Sequence, residues 1–329
     1  MKQDVLYPVM GYWTSILREE AVLLKHEAIP LLQRSKKQKN TEKTNPLAYL
    51  FLLPAFAMII YFICWPALQT FYISMTNWDG ISPKKFVGIT NYYRLFTDEP
   101  MFWQAIKNTL LWVVGGATIP VWLGLIFANL LVRGNIKFTK WFQMGFFFPQ
   151  VISSVIAAVI WKWIYDPNFG ALSAILAKIG IEKPAAGWLG NPDLVMYALF
   201  VIFLWGSYGY TTMIFTAALQ GVDSQLYDAA NIDGCGAWSQ FRHVTIPGLR
   251  QTITTVVILM AIGSFSVFDI VMATTKGGPG YSSYVISYYV YTQGFIENRL
   301  GFAAAASIIL TLFILIVSRT IILIREKDQ

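Results

Sequence analysis

The chain is poor in charge, cysteine and histidine. Only 13% of its 329 residues are charged and 56% are hydrophobic, whereas about 25% of residues are charged in typical soluble domains. A soluble domain of this size is therefore excluded. The two cysteines, Cys64 in an apolar run and Cys235 in a polar segment, predict neither a disulfide nor a metal site. The two histidines, His26 and His243, are isolated and lie outside the apolar runs, which makes them poor catalytic candidates.

The chain also lacks the short motifs of common enzymes. It contains no GxxxxGK[ST] phosphate loop, no HExxH, no CxxC and no GxSxG, which mark nucleotide, metal, redox and acyl-enzyme sites respectively. No internal repeat or low-complexity segment is present. We therefore predict that the chain is not an enzyme and that it holds no cofactor and no metal of its own.

Long apolar runs are what the sequence has in abundance. Six runs reach the roughly 20 residues that cross a hydrocarbon core of about 30 Å. They do not alternate in polarity as barrel strands do, so they predict helices. The sequence therefore predicts an all-α integral membrane protein with six transmembrane helices. The runs are Leu47 to Ile73, Ala105 to Leu131, Trp141 to Ile164, Leu194 to Leu219, Ile253 to Ala273 and Phe302 to Ile324.

The positions of the basic residues predict the orientation. The segment before Leu47 holds eight Lys or Arg, and the short stretch from Arg133 to Lys140 holds three with no acidic residue. The basic residues behind the net charge of +7 thus lie beside membrane segments, as the positive-inside rule requires. They do not form a basic surface on a soluble domain, which nucleic-acid binding would need. Both termini are predicted to be cytoplasmic.

Residues 1–46 form a predicted region of their own. Apolar positions recur at helical spacing between charged residues from 7 to 33, which predicts an amphipathic cytoplasmic helix in the membrane interface or packed on the membrane domain. A basic linker follows at 34–43. No cleavable signal peptide is expected, because the region lacks a single apolar core with a small-residue cleavage site. Residues 47–329 are the predicted transmembrane domain.

A polar island interrupts the apolar pattern at residues 223–249. Asp223 or Ser224 is placed to cap a short helix, and Gly234 to end it. A second helical turn leads to Pro247, whose fixed φ suits the start of the next helix. The charge pattern predicts that this helix–turn–helix lies on the cytoplasmic side.

One spaced pattern in the island resembles a known family. The string Asp228-Ala229-Ala230, then Gly234, then Val244 to Pro247 is similar to the EAA loop, E-A-A-x3-G-x9-I-x-L-P, of the permeases of binding-protein-dependent ABC importers. Asp228 replaces the usual Glu. The resemblance implies that 223–249 is the coupling loop, which docks in a cleft of an ATP-binding subunit through Tyr227, Asp228, Ala229, Ala230, Gly234 and Pro247.

That resemblance implies a fold and an assembly. The fold would be that of a type I ABC importer permease in the cytoplasmic (inner) membrane of a bacterium. Its partners would be a second permease subunit that is often a different chain, two ATP-binding subunits that hold the ATP and magnesium, and a periplasmic or lipid-anchored solute-binding protein.

Two further stretches resemble the carbohydrate branch of these permeases. Residues Phe86 to Tyr92 and Phe102 to Thr109 are similar to its F-V-G-x-x-N-Y and F-W-x-A-x-x-N-T patterns. Residues Phe268 to Pro279 are similar to its F-D-x-V-x-x-L-T-x-G-G-P pattern. The resemblance implies import of an oligosaccharide, and both neutral glycans and acidic ones such as alginate fragments remain open.

Candidate substrate-pathway residues lie in the third, fourth and fifth runs. Trp205, Tyr208 and Tyr210 combine flat apolar faces with hydrogen-bonding groups, as sugar recognition requires. Gln150 and Asp269 are polar groups inside apolar runs, where such groups are costly against lipid; Asp269 is equally suited to a plain helix-to-loop hydrogen bond. A gap-free alignment to the maltose-type permease implies that Tyr210 and Ser264 line the sugar site. Phe268 is a further candidate, because it precedes Asp269 in the F-D-x-V pattern.

Other transport classes and one enzyme class are alternatives. An ABC permease for glycerol phosphate, amino acids or peptides is the nearest. A secondary transporter would need coupling-ion sites and usually an internal repeat, and the near absence of charge inside the apolar runs argues against it. A membrane-embedded enzyme would need several His, Asp, Glu or Ser residues facing one cavity.

Overall fold

The computed structural model describes residues 46–326 apart from 135, 182, 183, 185 and 266. The predicted N-terminal amphipathic helix and its basic linker lie outside the described residues. The described residues divide into two units, with the boundary between Ala67 and Leu68. The described part of the first unit is helical, and the second unit contains the remaining elements.

The membrane-spanning helices confirm the predicted class. Among the described residues, five stretches are long and apolar enough to cross a membrane, and a bent pair of helices raises the number to six if the pair is one span. The helices that form these stretches are α1 (Pro46–Ile59), a π-helical segment (Ile60–Cys64), α2 (Trp65–Ser74), α4 (Pro100–Arg133), α5 (Thr139–Val151), α6 (Ser154–Ile164), α9 (Val195–Leu219), α13 (Arg250–Phe265), α14 (Asp269–Thr274) and α16 (Leu300–Glu326).

Shorter elements connect the spans. Two strands pair in antiparallel register, with Thr76 opposite Phe86 and Asn77 opposite Lys85. The short elements are β1 (Thr76–Asn77), β2 (Lys85–Phe86), α3 (Thr90–Thr97), α7 (Ala171–Lys178), α8 (Gly187–Gly190), α10 (Ser224–Ile232), α11 (Ala237–Gln240), a second π-helical segment (Phe241–Thr245), α12 (Ile246–Gly248), α15 (Ile286–Tyr291) and a third π-helical segment (Thr292–Ile296).

Helix α4 is the central helix of the second unit and packs against α9 and α13. Small residues allow the close approach, as is usual where no hydrophobic effect drives helices together. A Cβ atom on Gly124 would lie 2.2 Å from Thr211 Oγ1, and one on Gly116 would lie 2.0 Å from Ser264 Oγ. Thr211 Oγ1 also donates to the carbonyl of Pro120 at 2.7 Å, so α4 and α9 are joined by a polar contact as well as by packing.

The third run is not the single helix that its length predicts. The structure divides it into α5 and α6, whose axes differ by 99° across a break at residues 152 and 153. Pro149 lies in the last turn of α5, and Ile152 is extended with φ −78° and ψ 130°. Proline is a common cause of such breaks, and Ser153 and Ser154 follow the extended Ile152.

The fifth run is interrupted as well. Helix α13 ends at Phe265 and α14 starts at Asp269. Asp269 is therefore not in the middle of a continuous helix, as the apolar run suggests, but at the first residue of a new one. Helices α6 and α14 pack against each other, so the two interrupted spans meet beside their breaks.

The carbohydrate-type patterns between the first two spans have a structural explanation. Asn91 donates from Nδ2 to the carbonyls of Ser74 and Thr76, each at 2.8 Å. Asn108 donates to the carbonyls of Ser282 and Tyr284, each at 2.8 Å. These buried amides supply donors to backbone carbonyls, as buried carbonyls require, and Asn108 thereby holds the loop after α14 against α4.

We expect Asn108→Leu to loosen that loop. The change preserves volume but leaves two carbonyls without their donor, at a cost of about 1–3 kcal/mol for each unsatisfied group. The measurements are the unfolding temperature in detergent and the rate of proteolysis within residues 277–285. Gln104→Leu is the matched control, because Gln104 Nε2 donates to Asn108 Oδ1 at 3.1 Å and not to a backbone carbonyl of any described residue. Equal effects of the two substitutions would show that Asn108 does not hold the loop.

Candidate functional site

The predicted coupling loop folds as two helices joined by a glycine turn. Asp223 Oδ1 accepts a hydrogen bond from the amide of Gln225 at 2.9 Å and caps α10, which confirms the capping prediction. Gly234 has φ +71°, a conformation that favours glycine. The amide of Cys235 then donates back to the carbonyl of Ala230 at 2.9 Å, closing the end of the helix.

The two helices of the loop are tied together by polar contacts. Gln240 Nε2 donates to Asn231 Oδ1 at 2.6 Å and to the carbonyl of Cys235 at 2.9 Å. Phe241 is buried and stacks on Trp238, with ring centroids 5.5 Å apart. The loop is therefore a folded unit with its own contacts, and Pro247 lies within α12, which leads into α13.

Tyr227 connects α10 to the membrane helices. It is 3% exposed, and its hydroxyl lies 2.9 Å from Thr245 Oγ1. The guanidinium carbon of Arg133, at the end of α4, lies 3.3 Å from the centre of the Tyr227 ring, an arrangement typical of cation–π contacts. Thr245 Oγ1 in turn donates to Asn129 Oδ1 of α4 at 3.4 Å. A displacement of α10 would therefore act directly on α4.

Sequence reasoning did not find Arg133, Asn129 or Thr245. Arg133 entered only as one basic residue among several in the orientation argument. Its contact with Tyr227 joins residues 94 positions apart, and no spacing rule within one chain segment indicates such a pair. The basic residue at the end of an apolar run was the only available signal.

The opposite face of α10 is exposed. On α10, Asp228 and Ala229 are both exposed, and so are Leu226 at 53% and Ile232 at 87%; on α11, Trp238 is 72% exposed. Exposed large apolar side chains are typical of a protein-binding surface. We call this surface, defined by Leu226, Asp228, Ile232 and Trp238, the coupling face.

The aromatic candidates of α9 lie in two clusters. The ring of Tyr208 packs edge-on against Phe146 of α5 and Phe127 of α4, with centroids 5.8 and 6.0 Å away. The ring of Trp205 packs against Trp161 of α6 at 5.9 Å. Tyr210 is half-buried. The fold thus places Tyr208 against α4 and α5 and Trp205 against α6.

Ser264 is enclosed by helix packing. It is 1% exposed, its hydroxyl donates to the carbonyl of Met260 at 2.7 Å, and its side chain fills the space left by Gly116. The resemblance implies that Ser264 contacts the sugar. In this structure Ser264 is instead part of the contact between α13 and α4.

Asp269 lies where the two interrupted spans meet. Its Oδ2 accepts a hydrogen bond from Ser154 Oγ at 2.7 Å, and Ser154 is the first residue of α6. Phe268, beside it, stacks on Tyr288 with centroids 6.2 Å apart and packs edge-on to Tyr291 at 5.3 Å. Gln150 is exposed, two residues before the break in the third run. Ser154, which the site prediction omitted, thus joins the starts of α6 and α14.

Comparison with known proteins identifies relatives over most of the chain. Residues 120–325 match the family described as binding-protein-dependent transport system inner membrane component. The diacetylchitobiose uptake system permease protein NgcF of Streptomyces coelicolor is 31% identical over 305 residues, covering 89% of this chain and 86% of NgcF. The lactose transport system permease protein LacF of Rhizobium radiobacter is 32% identical over 273 residues, covering 82% of this chain and 91% of LacF.

The fold has a solved counterpart. A bacterial ABC transporter involved in the import of the acidic polysaccharide alginate contains a chain that superposes with a TM-score of 0.75 at 22% identity, covering 88% of this chain and 99% of that one. The agreement identifies the fold as that of a type I ABC importer permease. Together with the family match and the relatives, it establishes that this chain is a membrane-spanning permease of the binding-protein-dependent ABC importer family.

Proposed function

We propose that the chain translocates an oligosaccharide and is driven by a separate ATPase through the coupling face. One observation carries the coupling part: α10 buries Tyr227 against Arg133 of α4 and exposes the adjacent Asp228. One face of the helix is thus attached to the membrane helices and the other is free for a partner. The proposed partners are two ATP-binding subunits, which hold the ATP and magnesium, a second permease subunit and an external solute-binding protein.

The contacts of α10 indicate how the coupling would work. Closure of the ATPase dimer displaces α10, and the Arg133–Tyr227 and Thr245–Asn129 contacts transmit the displacement to α4. Since α4 packs closely on α9 and α13, these three helices move together. The breaks beside Ser154 and Asp269 are the places where α6 and α14 would change their angle to α5 and α13. This requires the predicted orientation, in which residues 223–249 and both termini are cytoplasmic.

The substrate part rests on the relatives and on the external patterns. Diacetylchitobiose and lactose, named for NgcF and LacF, are both neutral disaccharides. Tyr208 and Tyr210 of this chain offer the aromatic surface and hydroxyl groups that such ligands use. We therefore propose a glycan of two or more residues. The assignment of Tyr210, Ser264 and Gln150 to its pathway stays a prediction, as does the division of the chain at residue 46.

A substrate panel tests the proposal. The assembled importer, with its cognate binding protein, is assayed for ATP hydrolysis with neutral oligosaccharides, oligouronates, glycerol phosphate, amino acids and peptides. We expect one class of oligosaccharide to raise the rate several-fold and the other compounds to leave it basal. Stimulation by an amino acid or by glycerol phosphate alone would contradict the carbohydrate assignment. Transport that continues without the ATPase subunit would contradict the coupling.

A further inference from the structure

A groove between α4 and α9 is separate from the coupling face and from the predicted substrate pathway. It has a volume of about 500 Å³. Its polar end is formed by Lys107 in the second turn of α4 and by Asp193, two residues before α9 starts. Its apolar end is formed by Leu111, Ile119 and Phe200. Polarity therefore changes along the groove in the direction of the helix axes.

The length of this gradient matches the depth of one membrane leaflet. Lys107 and Ile119 are twelve residues apart on one helix, which corresponds to about 18 Å at 1.5 Å per residue. Half of a hydrocarbon core is about 15 Å. Helix α4 has 34 residues, or about 51 Å, so its first turns extend beyond the hydrocarbon. Lys107 and Asp193 thus fall at the level of the head groups when Leu111 and Ile119 lie among the acyl chains.

The charged groups at the polar end are of opposite sign and unpaired. Among the residues that the structure describes, neither Lys107 nor Asp193 takes part in an ion pair within 4 Å.

We propose that this groove binds one phospholipid with a zwitterionic head group of the ammonium–phosphate type. Lys107 binds the phosphate, Asp193 binds the ammonium, and an acyl chain lies along Leu111 and Ile119. Gly115 and Phe200 pack closely at this end of the groove, since a Cβ atom on Gly115 would lie 3.0 Å from the Phe200 ring. An anionic lipid without an ammonium group would bring its negative charge toward Asp193 unopposed, so the groove discriminates between head groups.

Lipid retention measures this preference. The full-length chain, with the subunits that accompany it, is reconstituted with equal amounts of phosphatidylethanolamine and phosphatidylglycerol and re-extracted for native mass spectrometry. We expect phosphatidylethanolamine to be retained about three- to fivefold over phosphatidylglycerol, as one surface ion pair provides. Asp193→Asn should remove the preference, and Lys107→Gln should weaken retention of both lipids. Lys162→Gln, at the end of α6 and outside the groove, is the control that changes neither.

The identity of the occupant is tested by photocrosslinking. A benzophenone side chain placed at Leu111 in the assembled importer should yield a phospholipid adduct. A polypeptide adduct there would show that a partner subunit fills the groove and would overturn the proposal. Equal retention of the two lipids by the unmodified chain, or an unchanged preference in Asp193→Asn, would overturn it as well.

Discussion

Gly209→Ala is expected to prevent stable folding of the membrane domain. A Cβ atom on Gly209 would lie 1.7 Å from the carbonyl oxygen of Phe146 and 2.6 Å from its carbonyl carbon. These are backbone atoms of α5, so no rotamer change relieves the overlap, and α5 and α9 must separate. Overpacking typically costs 1–3 kcal/mol, and a contact with a rigid backbone should cost about 3 kcal/mol or more. The measurements are the amount of chain in the membrane and its unfolding temperature in detergent.

Gly206→Ala is the matched control for this substitution. Gly206 lies one turn earlier on the same helix, and a Cβ atom there would meet nothing within 4 Å. Gly206→Ala changes backbone entropy and helix propensity in the same way as Gly209→Ala, and helix propensity favours alanine over glycine by about 1 kcal/mol. Gly206→Ala should therefore fold at least as well as the unsubstituted chain. Similar losses in both variants would show that α5 and α9 do not approach each other closely at Gly209.

The features that sequence could predict are those set by neighbouring residues. The apolar runs, the cap at Asp223 and the turn at Gly234 follow from hydrophobicity and backbone chemistry within a few residues, and the structure confirms them. The resemblance to a coupling loop was visible because the pattern extends over some twenty residues, from Asp228 to Pro247, with fixed spacing. Which side chains of α10 are buried and which are exposed follows from the period of the helix once the contact of Tyr227 with Arg133 of α4 is known.

The features that sequence could not predict depend on contacts between distant residues. The apolar run from Trp141 to Ile164 has the length of one span, and Pro149 with the two serines after it indicates a kink but not a turn of 99°. The contact of Ser154 with Asp269, 115 positions away, is a feature of the packing between α6 and α14 that no local pattern indicates. Similarly, a substrate role for Ser264 followed from alignment alone. In the structure its place opposite Gly116 is determined by the packing of α13 on α4, which an alignment to a single relative does not report.

Loss of coupling without loss of folding is the expected result of Asp228→Lys. Asp228 is exposed on α10, so a lysine there should leave the unfolding temperature unchanged. The resemblance implies that the acidic group faces a basic cleft in the ATPase, and reversal of one charge at such an interface costs several kcal/mol. Substrate-stimulated ATP hydrolysis of the assembled importer should therefore fall by more than about tenfold. The measurements are stimulated hydrolysis and co-purification of the ATPase subunit.

Two further variants separate binding of the ATPase from transmission of its movement. Asp228→Glu restores the residue usual in the family and should retain stimulated hydrolysis. Arg133→Leu removes the cation–π contact with Tyr227 but leaves the coupling face unaltered, so the ATPase subunit should remain bound while transport falls. Full transport by Asp228→Lys would refute docking at this face. Full transport by Arg133→Leu would instead show that α4 receives the movement of α10 by another route, such as the hydrogen bonds of Thr245.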